Sequence, residues 1–284
     1  MENKKISTFL WGILTVAGIS TVLNIIAHGT WWDRYGFASV SCISEQTAVE
    51  MERIARMRAA GERKFDSEDI RMQIVYQLAK RSIVRVSAKD AAGSGIIWKI
   101  DDGIVVVSNR HLLMKDVEAE IVFGNGESAT ADVIGYSQQY DIGFVRIQED
   151  AVTDHMLREI YEAVPALYET ASEEARAAFC SDNLSRRVLQ VGAALDGQAE
   201  SLSTGNITGL AFVPLFNTHV LVTACFSRAG MSGGGVFDEG GHLIGMISGG
   251  EVPEESQRRE AEVTYSIPPS LILAEYEMIM NRED

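Results

Sequence analysis

This sequence predicts an all-β, antiparallel architecture behind a helical, membrane-inserting N-terminus, and three observations predict it. From Ser82 onward, short β-branched runs alternate with glycine, asparagine and aspartate turns. This texture occurs twice, on either side of a different stretch at residues 150–187, which suggests two packed barrels or sandwiches. Ahead of both lie the 22 residues from Ile6 to Ala27, without a single charge.

That apolar run is long enough to span a bilayer. Lys4 and Lys5 precede it, while Trp31, Trp32 and Tyr35 follow. The positive-inside rule then keeps the N-terminus cytoplasmic and exports the rest of the chain, to a periplasmic or extracytoplasmic location. A cleaved signal peptide would need a shorter apolar core, and the best small-x-small site, Gly36-Phe37-Ala38, lies too far beyond the run. A single-pass signal anchor over residues 1–30 is therefore expected, with a cleaved signal and a buried soluble helix as the alternatives.

Residues 31–80 read as a helical stalk or lead-in. Acids and bases alternate in Glu50-Met51-Glu52-Arg53-Ile54-Ala55-Arg56, Gly61 breaks the pattern, and Asp66-Ser67-Glu68-Asp69 opens a second helix running through Ile70, Ile74, Val75 and Leu78. No heptad is sustained, so a solvated helix is expected rather than a coiled coil.

The first set of strands is Ile83–Val86, Gly95–Trp98, Ile104–Val107, Ala119–Phe123, Ala131–Gly135 and a run after Asp141; Asp101-Asp102-Gly103 and Gly124-Asn125-Gly126 supply turns. The second set is Val188–Gly192, Ser201–Ile207, Val220–Cys225, Gly235–Phe237, Leu243–Ser248 and Val263–Ile267. Between them, Asp154–Val164 and Thr170–Phe179 read as two helices, the second opened by a Thr170…Glu173 capping box. A periodic apolar helix follows Pro268-Pro269 to Met280.

A formal net charge of −15 repels phosphate backbones and argues against nucleic-acid partners. The three cysteines, Cys42, Cys180 and Cys225, are too few for a disulfide framework and lack zinc-ligand spacing. Free thiols are expected, with a Cys42–Cys180 bridge as the alternative, and neither metal nor cofactor is expected.

Chemistry concentrates in Ala229-Gly230-Met231-Ser232-Gly233-Gly234-Gly235. A serine inside a glycine run can sit on a tight loop with backbone N–H groups converging beside its hydroxyl. Upstream, His111 follows a strand in Val107-Ser108-Asn109-Arg110-His111, and Asp141 precedes one in Tyr140-Asp141-Ile142-Gly143. A lone histidine or turn aspartate is usually structural, but the order His, Asp, Ser at strand edges of a β chain is one of the orders in which catalytic triads occur.

With these motifs in view, residues 80–275 resemble the chymotrypsin-fold serine proteases, most of all the HtrA/DegP branch. Gly93-Ser94-Gly95, Ser108-Asn109-Arg110-His111, Tyr140-Asp141-Ile142-Gly143, Ser203-Thr204-Gly205-Asn206-Ile207, Gly230-Met231-Ser232-Gly233-Gly234 and Tyr265-Ser266-Ile267-Pro268 carry the resemblance, in that family's order. Met231 stands where the family has Asn or Asp, Gly235 where it has Pro, and the 150–187 connector is longer; a following PDZ domain is not expected.

The resemblance implies two six-stranded antiparallel barrels over residues 81–284 and a serine endopeptidase acting on polypeptides. Ser232 would be nucleophile, His111 general base and Asp141 its orienting partner, with the Gly230 and Ser232 amides as oxyanion hole. It also implies that Ile247, Ser248, Gly249 and Gly250 pair with substrate and that Phe226 lies near the base of the primary pocket, where no carboxylate stands, so apolar residues before the cut are expected. A pseudoprotease that binds an extended peptide without cutting it is the alternative, and self-association into a homo-oligomer is left open. Met231 offers no charge to a newly cut N-terminal amine, so ordering of the loop before Gly230 is expected to come from packing.

Overall fold

Twelve strands close into two antiparallel barrels in the computed structural model, which describes residues 67–193, 201–251 and 261–281. The first contains β1 (Ile83–Ser87), β2 (Ala92–Asp101), β3 (Gly103–Ser108), β4 (Glu118–Val122), β5 (Ser128–Tyr136) and β6 (Gly143–Ile147), in the spatial order β1-β2-β3-β6-β5-β4. The second contains β7 (Arg187–Gly192), β8 (Ser201–Val213), β9 (Thr218–Ala224), β10 (Gly235–Phe237), β11 (Leu243–Glu251) and β12 (Val263–Ile267), in the order β10-β11-β12-β9-β8-β7. Five helices accompany them: α1 (Ser67–Ala79), α2 (Arg110–Leu113), α3 (Asp154–Glu159), α4 (Glu173–Asn183) and α5 (Pro269–Met280). The chain divides into two units, residues 1–70 and 71–284. The expected anchor, the stalk to residue 66 and Cys42 lie outside the described residues. Among the described residues, no helix is long and apolar enough to cross a membrane, and Cys180 and Cys225 carry no disulfide.

Strand patterning explains why the barrels hold together. In β3 the whole run Gly103–Ser108 is buried, because alternate side chains serve two cores. Ile104 and Val106 point with Val84, Val86, Ile97 and Ile121 into the first barrel. Val105 and Val107 face a second cluster shared with Leu189, Val191, Phe237, Leu243 and Met246 of the second barrel. Such a strand must read as continuously apolar, as this one does. Met72, Val75 and Ala79 of α1 and Ile272 and Ile279 of α5 cover the same shared cluster.

The connector departs from expectation. Helix α3 stops at Glu159 instead of reaching Val164, with Ile160 extended and no helix through residue 168. Pro165 disfavours helix for the residue before it, and Ile160 and Ala163 are buried. This segment stitches the barrels: the Tyr161 amide donates to Arg81, just before β1, and the Ala163 amide to Ile97 in the first, while Val164 accepts from Leu243 and the Ala166 amide donates back to it in the second. Arg81 stacks on Tyr161 and donates to the Arg158 and Glu159 carbonyls at the end of α3. The cap of α4 is Ser172, whose hydroxyl accepts from the Ala175 amide, in place of the expected Thr170, which is itself buried.

Candidate active site

Between β3 and β6, two short segments set His111 against Asp141. Asn109 leaves β3 in extended backbone and opens the single turn α2, which carries His111. On the facing loop, the Ser137 hydroxyl accepts from the Gln139 and Tyr140 amides and the Ser137 amide donates to the Ile142 carbonyl. This is a compact turn that directs Asp141 back toward α2. Asp141 Oδ2 lies 2.8 Å from His111 Nδ1, and Oδ1 accepts from the His111 backbone amide at 3.0 Å. A carboxylate can only accept, so Nδ1 carries a proton, and in the neutral imidazole Nε2 then holds the lone pair. The imidazole is 48% exposed against 16% for the carboxylate, so the lone pair belongs to the more accessible member.

Ser232 sits in the tight loop between β9 and β10. The Met231 amide donates to the Arg228 carbonyl at 3.1 Å, closing a turn in which Gly230 has φ +92°. A left-handed third position is what a type II turn requires and glycine supplies. Gly233 follows with φ +84°. The Met231 side chain is 1% exposed, among Val188, Leu221 and Val236 in the second barrel's core. The loop is thus pegged by an apolar side chain where the resembling family has a polar one.

Gly93 marks where the two halves of the site meet. A Cβ there would fall 2.5 Å from Leu112, next to His111, and 2.8 Å from the Ser232 carbonyl oxygen. Among the described residues, neither the Gly230 nor the Ser232 amide donates to a protein acceptor. They are two adjacent donors left open beside the serine.

The residues expected to hold substrate divide. Ile247 is buried, with its amide taken up by the Gly234 carbonyl and its carbonyl by the Gly233 amide. Strand β10 pairs with β11 from Leu243 to Met246, so beyond Ile247 the chain through Ser248, Gly249 and Gly250 pairs, among the described residues, with β12 alone. Ser248 is also the acceptor of the Asn109 amide group, at 2.7 Å. A Cβ at Gly250 would fall 2.4 Å from the Val263 carbonyl oxygen, 2.6 Å from Ala261 Cβ and 3.3 Å from Ser227 Oγ, so no side chain fits at this position. Phe226 is 41% exposed. Among the described residues, no cluster of three or more histidine, cysteine or acidic side chains could hold a metal.

Sequence reasoning missed the supporting residues. Asn109, fully buried, also donates to the Asp141 carbonyl. Ser94, equally buried, donates to the Gly230 carbonyl, and the Ser108 hydroxyl donates to Ser94's own carbonyl. All three stand inside motifs that carry the resemblance, but nothing local in the sequence tells a buried hydroxyl bonding to a neighbouring strand from one bonding across to another barrel.

Residues 93–246 match the family model described as trypsin-like peptidase domain. The chain belongs to that family. Its fold is shared with the HtrA-type protease AlgW with tripeptide (TM-score 0.58, 16% identity, 74% of this chain and 64% of that one). It is shared also with a serine endoprotease from Yersinia pestis (TM-score 0.54, 17% identity, 73% and 65%). A third match is Rv3671c from M. tuberculosis, in the inactive form of a serine-to-alanine mutant (TM-score 0.53, 15% identity, 74% and 92%). The chain spans less than two thirds of the length of the first two. No curated protein matches it by sequence. The trypsin-like family match and the folds shared with these neighbours together make it a chymotrypsin-fold member of that family.

Proposed function

We propose that the protein is a membrane-anchored serine endopeptidase that hydrolyses peptide bonds through an acyl-enzyme, with Ser232, His111 and Asp141 as its triad. The observation that carries this reading is the His111 ring, bound at Nδ1 by Asp141 with Nε2 unbonded among the described residues, together with a serine loop that has two open amides and packs at Gly93 against the residue next to His111. Nε2 accepts the Ser232 hydroxyl proton as Oγ attacks the substrate carbonyl, and the Gly230 and Ser232 amides take the developing oxyanion. The imidazolium, stabilised by Asp141, then delivers that proton to the leaving amine. Water repeats the sequence on the acyl-enzyme and regenerates the serine.

Without a second strand partner among the described residues, β11 at Ser248, Gly249 and Gly250 suits an extended substrate backbone, which would add as a strand. An apolar residue before the cut is the preference that goes with Phe226 near the primary pocket and no carboxylate there.

The decisive experiment is labelling with a serine-directed fluorophosphonate alongside hydrolysis of unfolded casein, comparing wild type with Ser232→Ala. Labelling and cleavage that vanish in the variant are expected. Equal labelling of both proteins refutes Ser232 as nucleophile, and a wild type that binds casein but neither labels nor cleaves is the peptide-binding module instead. For anchoring by residues 6–27, a reporter fused after residue 60 is expected outside the cytoplasmic membrane, with Met1 to Ala27 retained in the mature chain. A clean new N-terminus between residues 28 and 42 would mean a cleaved signal.

A further inference from the structure

We propose that Ser94, on the first barrel, is the positioning residue that holds the oxyanion loop of the second barrel in its working shape. The inference rests on the protease reading above.

The loop cannot order itself. Glycine takes either hand of φ with little preference, so nothing in Gly230 or Gly233 selects the values of +92° and +84°. The aspartate-to-amine ion pair that would otherwise fix such a loop has no counterpart at Met231. Met231 anchors its own Cα through its buried side chain and its amide through Arg228. The carbonyl at the other end of that peptide, on Gly230, needs a donor, and the donor is Ser94.

Each polar group of Ser94 is committed. Its amide donates to the Ser232 carbonyl at 2.7 Å, and its carbonyl accepts from Ser108 Oγ at 2.6 Å. Its Oγ accepts from the Ala193 amide at 2.8 Å and lies 2.6 Å from the Gly230 carbonyl oxygen. An amide can only donate, so the single hydroxyl proton goes to Gly230. Ser94 is fully buried, and water cannot stand in for it. Three glycines make the approach possible. A Cβ on Gly233 would lie 2.0 Å from the Ser94 carbonyl oxygen, one on Gly192 3.1 Å from Ser94 Oγ, and one on Gly93 2.8 Å from the Ser232 carbonyl oxygen.

The consequence concerns the carbonyls on either side of the oxyanion donors. Those of Gly230 and Ser232 are both drawn onto Ser94, so neither can turn toward the substrate and repel the negative charge that forms there. Removing the hydroxyl frees the Gly230 carbonyl while leaving the substrate edge of β11 untouched. The loss therefore falls on the transition state and not on ground-state binding.

The test uses the full chain and a fluorogenic peptide built on its preferred cleavage site in casein. For Ser94→Ala, kcat is expected to fall about 10- to 100-fold, below the full cost of deleting one oxyanion donor because the amides themselves remain. KM should be unchanged, and the Ki of the matching peptide aldehyde, whose adduct mimics the oxyanion, should rise by the same factor as kcat falls. Ser82→Ala, which removes a buried hydroxyl donating to the Ala79 carbonyl, should keep wild-type kcat. Ser94→Cys, which retains a weak donor, should fall between wild type and alanine, and decides the matter by the same criteria should Ser94→Ala fail to fold. Unchanged kcat, or a loss confined to KM with the aldehyde Ki unmoved, would overturn the proposal. A wild type that neither labels nor cleaves would instead overturn the protease reading beneath it.

Discussion

The two halves of the candidate site are built on opposite principles. The His111–Asp141 half is assembled within the first barrel from residues 30 apart, on a turn and a helix that carry their own hydrogen bonds. The Ser232 half is a glycine loop whose shape is fixed from outside, by Ser94 at a separation of 136 residues and by Met231 buried in the core behind it. A hydrogen-bonded pair needs only a rigid platform and an accessible nitrogen. A loop that must keep amides unbonded cannot satisfy itself with its own hydrogen bonds, so its restraint has to be imported. The comparison teaches that mutations on the first half should act through chemistry, and mutations around the second through loop geometry and stability.

The largest effect that would sharpen this contrast is on the first half. Asp141→Asn keeps the shape but can present an NH₂ to Nδ1 and favour the wrong tautomer, so kcat should drop by roughly 10³- to 10⁴-fold. The melting temperature should stay near that of wild type. A fall in stability as large as the fall in rate would show that Asp141 holds the fold and not the imidazole.

The second half is broken through its glycines. Gly233 and Gly126 share a left-handed backbone, φ +84° and +86°, but a Cβ on Gly126 meets nothing within 4 Å while one on Gly233 collides with the Ser94 carbonyl oxygen. Gly126→Ala should therefore cost about 1–2 kcal/mol, the left-handed penalty alone. Gly233→Ala adds a backbone clash, should cost more than about 3 kcal/mol, and should abolish fluorophosphonate labelling. Denaturant unfolding of the pair gives the difference, and equal losses would mean that the loop does not depend on close approach to β2.

The smallest expected effect tests whether the far end of the second barrel matters to the loop at all. In the β10–β11 turn, His242 Nδ1 lies 3.2 Å from Asp238 Oδ2, with the Arg71–Glu239 ion pair nearby at 3.7 Å. The hydrogen bond to Asp238 raises the His242 pKa against the opposing effect of burial. Burial would raise that of Asp238, but hydrogen bonds from the His242 side chain and from backbone amides outweigh it and leave it lowered. Stability from the raised histidine is fully present below its unfolded value of about 6.5 and is lost as pH rises through the folded value. Stability from the lowered aspartate is present above about 3.8 and is lost as pH falls through its folded value. His242→Gln should thus cost a few tenths of a kcal/mol near pH 5 and less near pH 8, given partial exposure. Because this turn lies away from Ser94, kcat should show no difference from wild type across that range. A variant that altered the pH profile of kcat would tie the turn to the loop and undo the contrast.

The sequence by itself determined the strands and singled out the positions proposed to carry chemistry. The alternation of β-branched runs with glycine turns specified two antiparallel halves because strand periodicity and turn stereochemistry are local properties. His111, Asp141 and Ser232 stood out because each sits where a strand ends beside turn residues. Only the tertiary structure decided what depends on neighbours distant in the chain. Polar helical composition suggested a helix to Val164, but burial of Ile160 and Ala163 and the backbone bonds to Ile97 and Leu243 ended it at Glu159. Thr170 offered a capping box, yet its burial left the cap to Ser172. Ile247 was counted with the substrate edge until its backbone proved to be taken up by Gly233 and Gly234. Ser94 could not have been singled out at all, since a serine between two glycines has the same local character whether its hydroxyl meets its own sheet or another barrel. Which it meets is fixed when the barrels close, because hydrogen-bond partners are set by three-dimensional proximity and not by spacing along the chain.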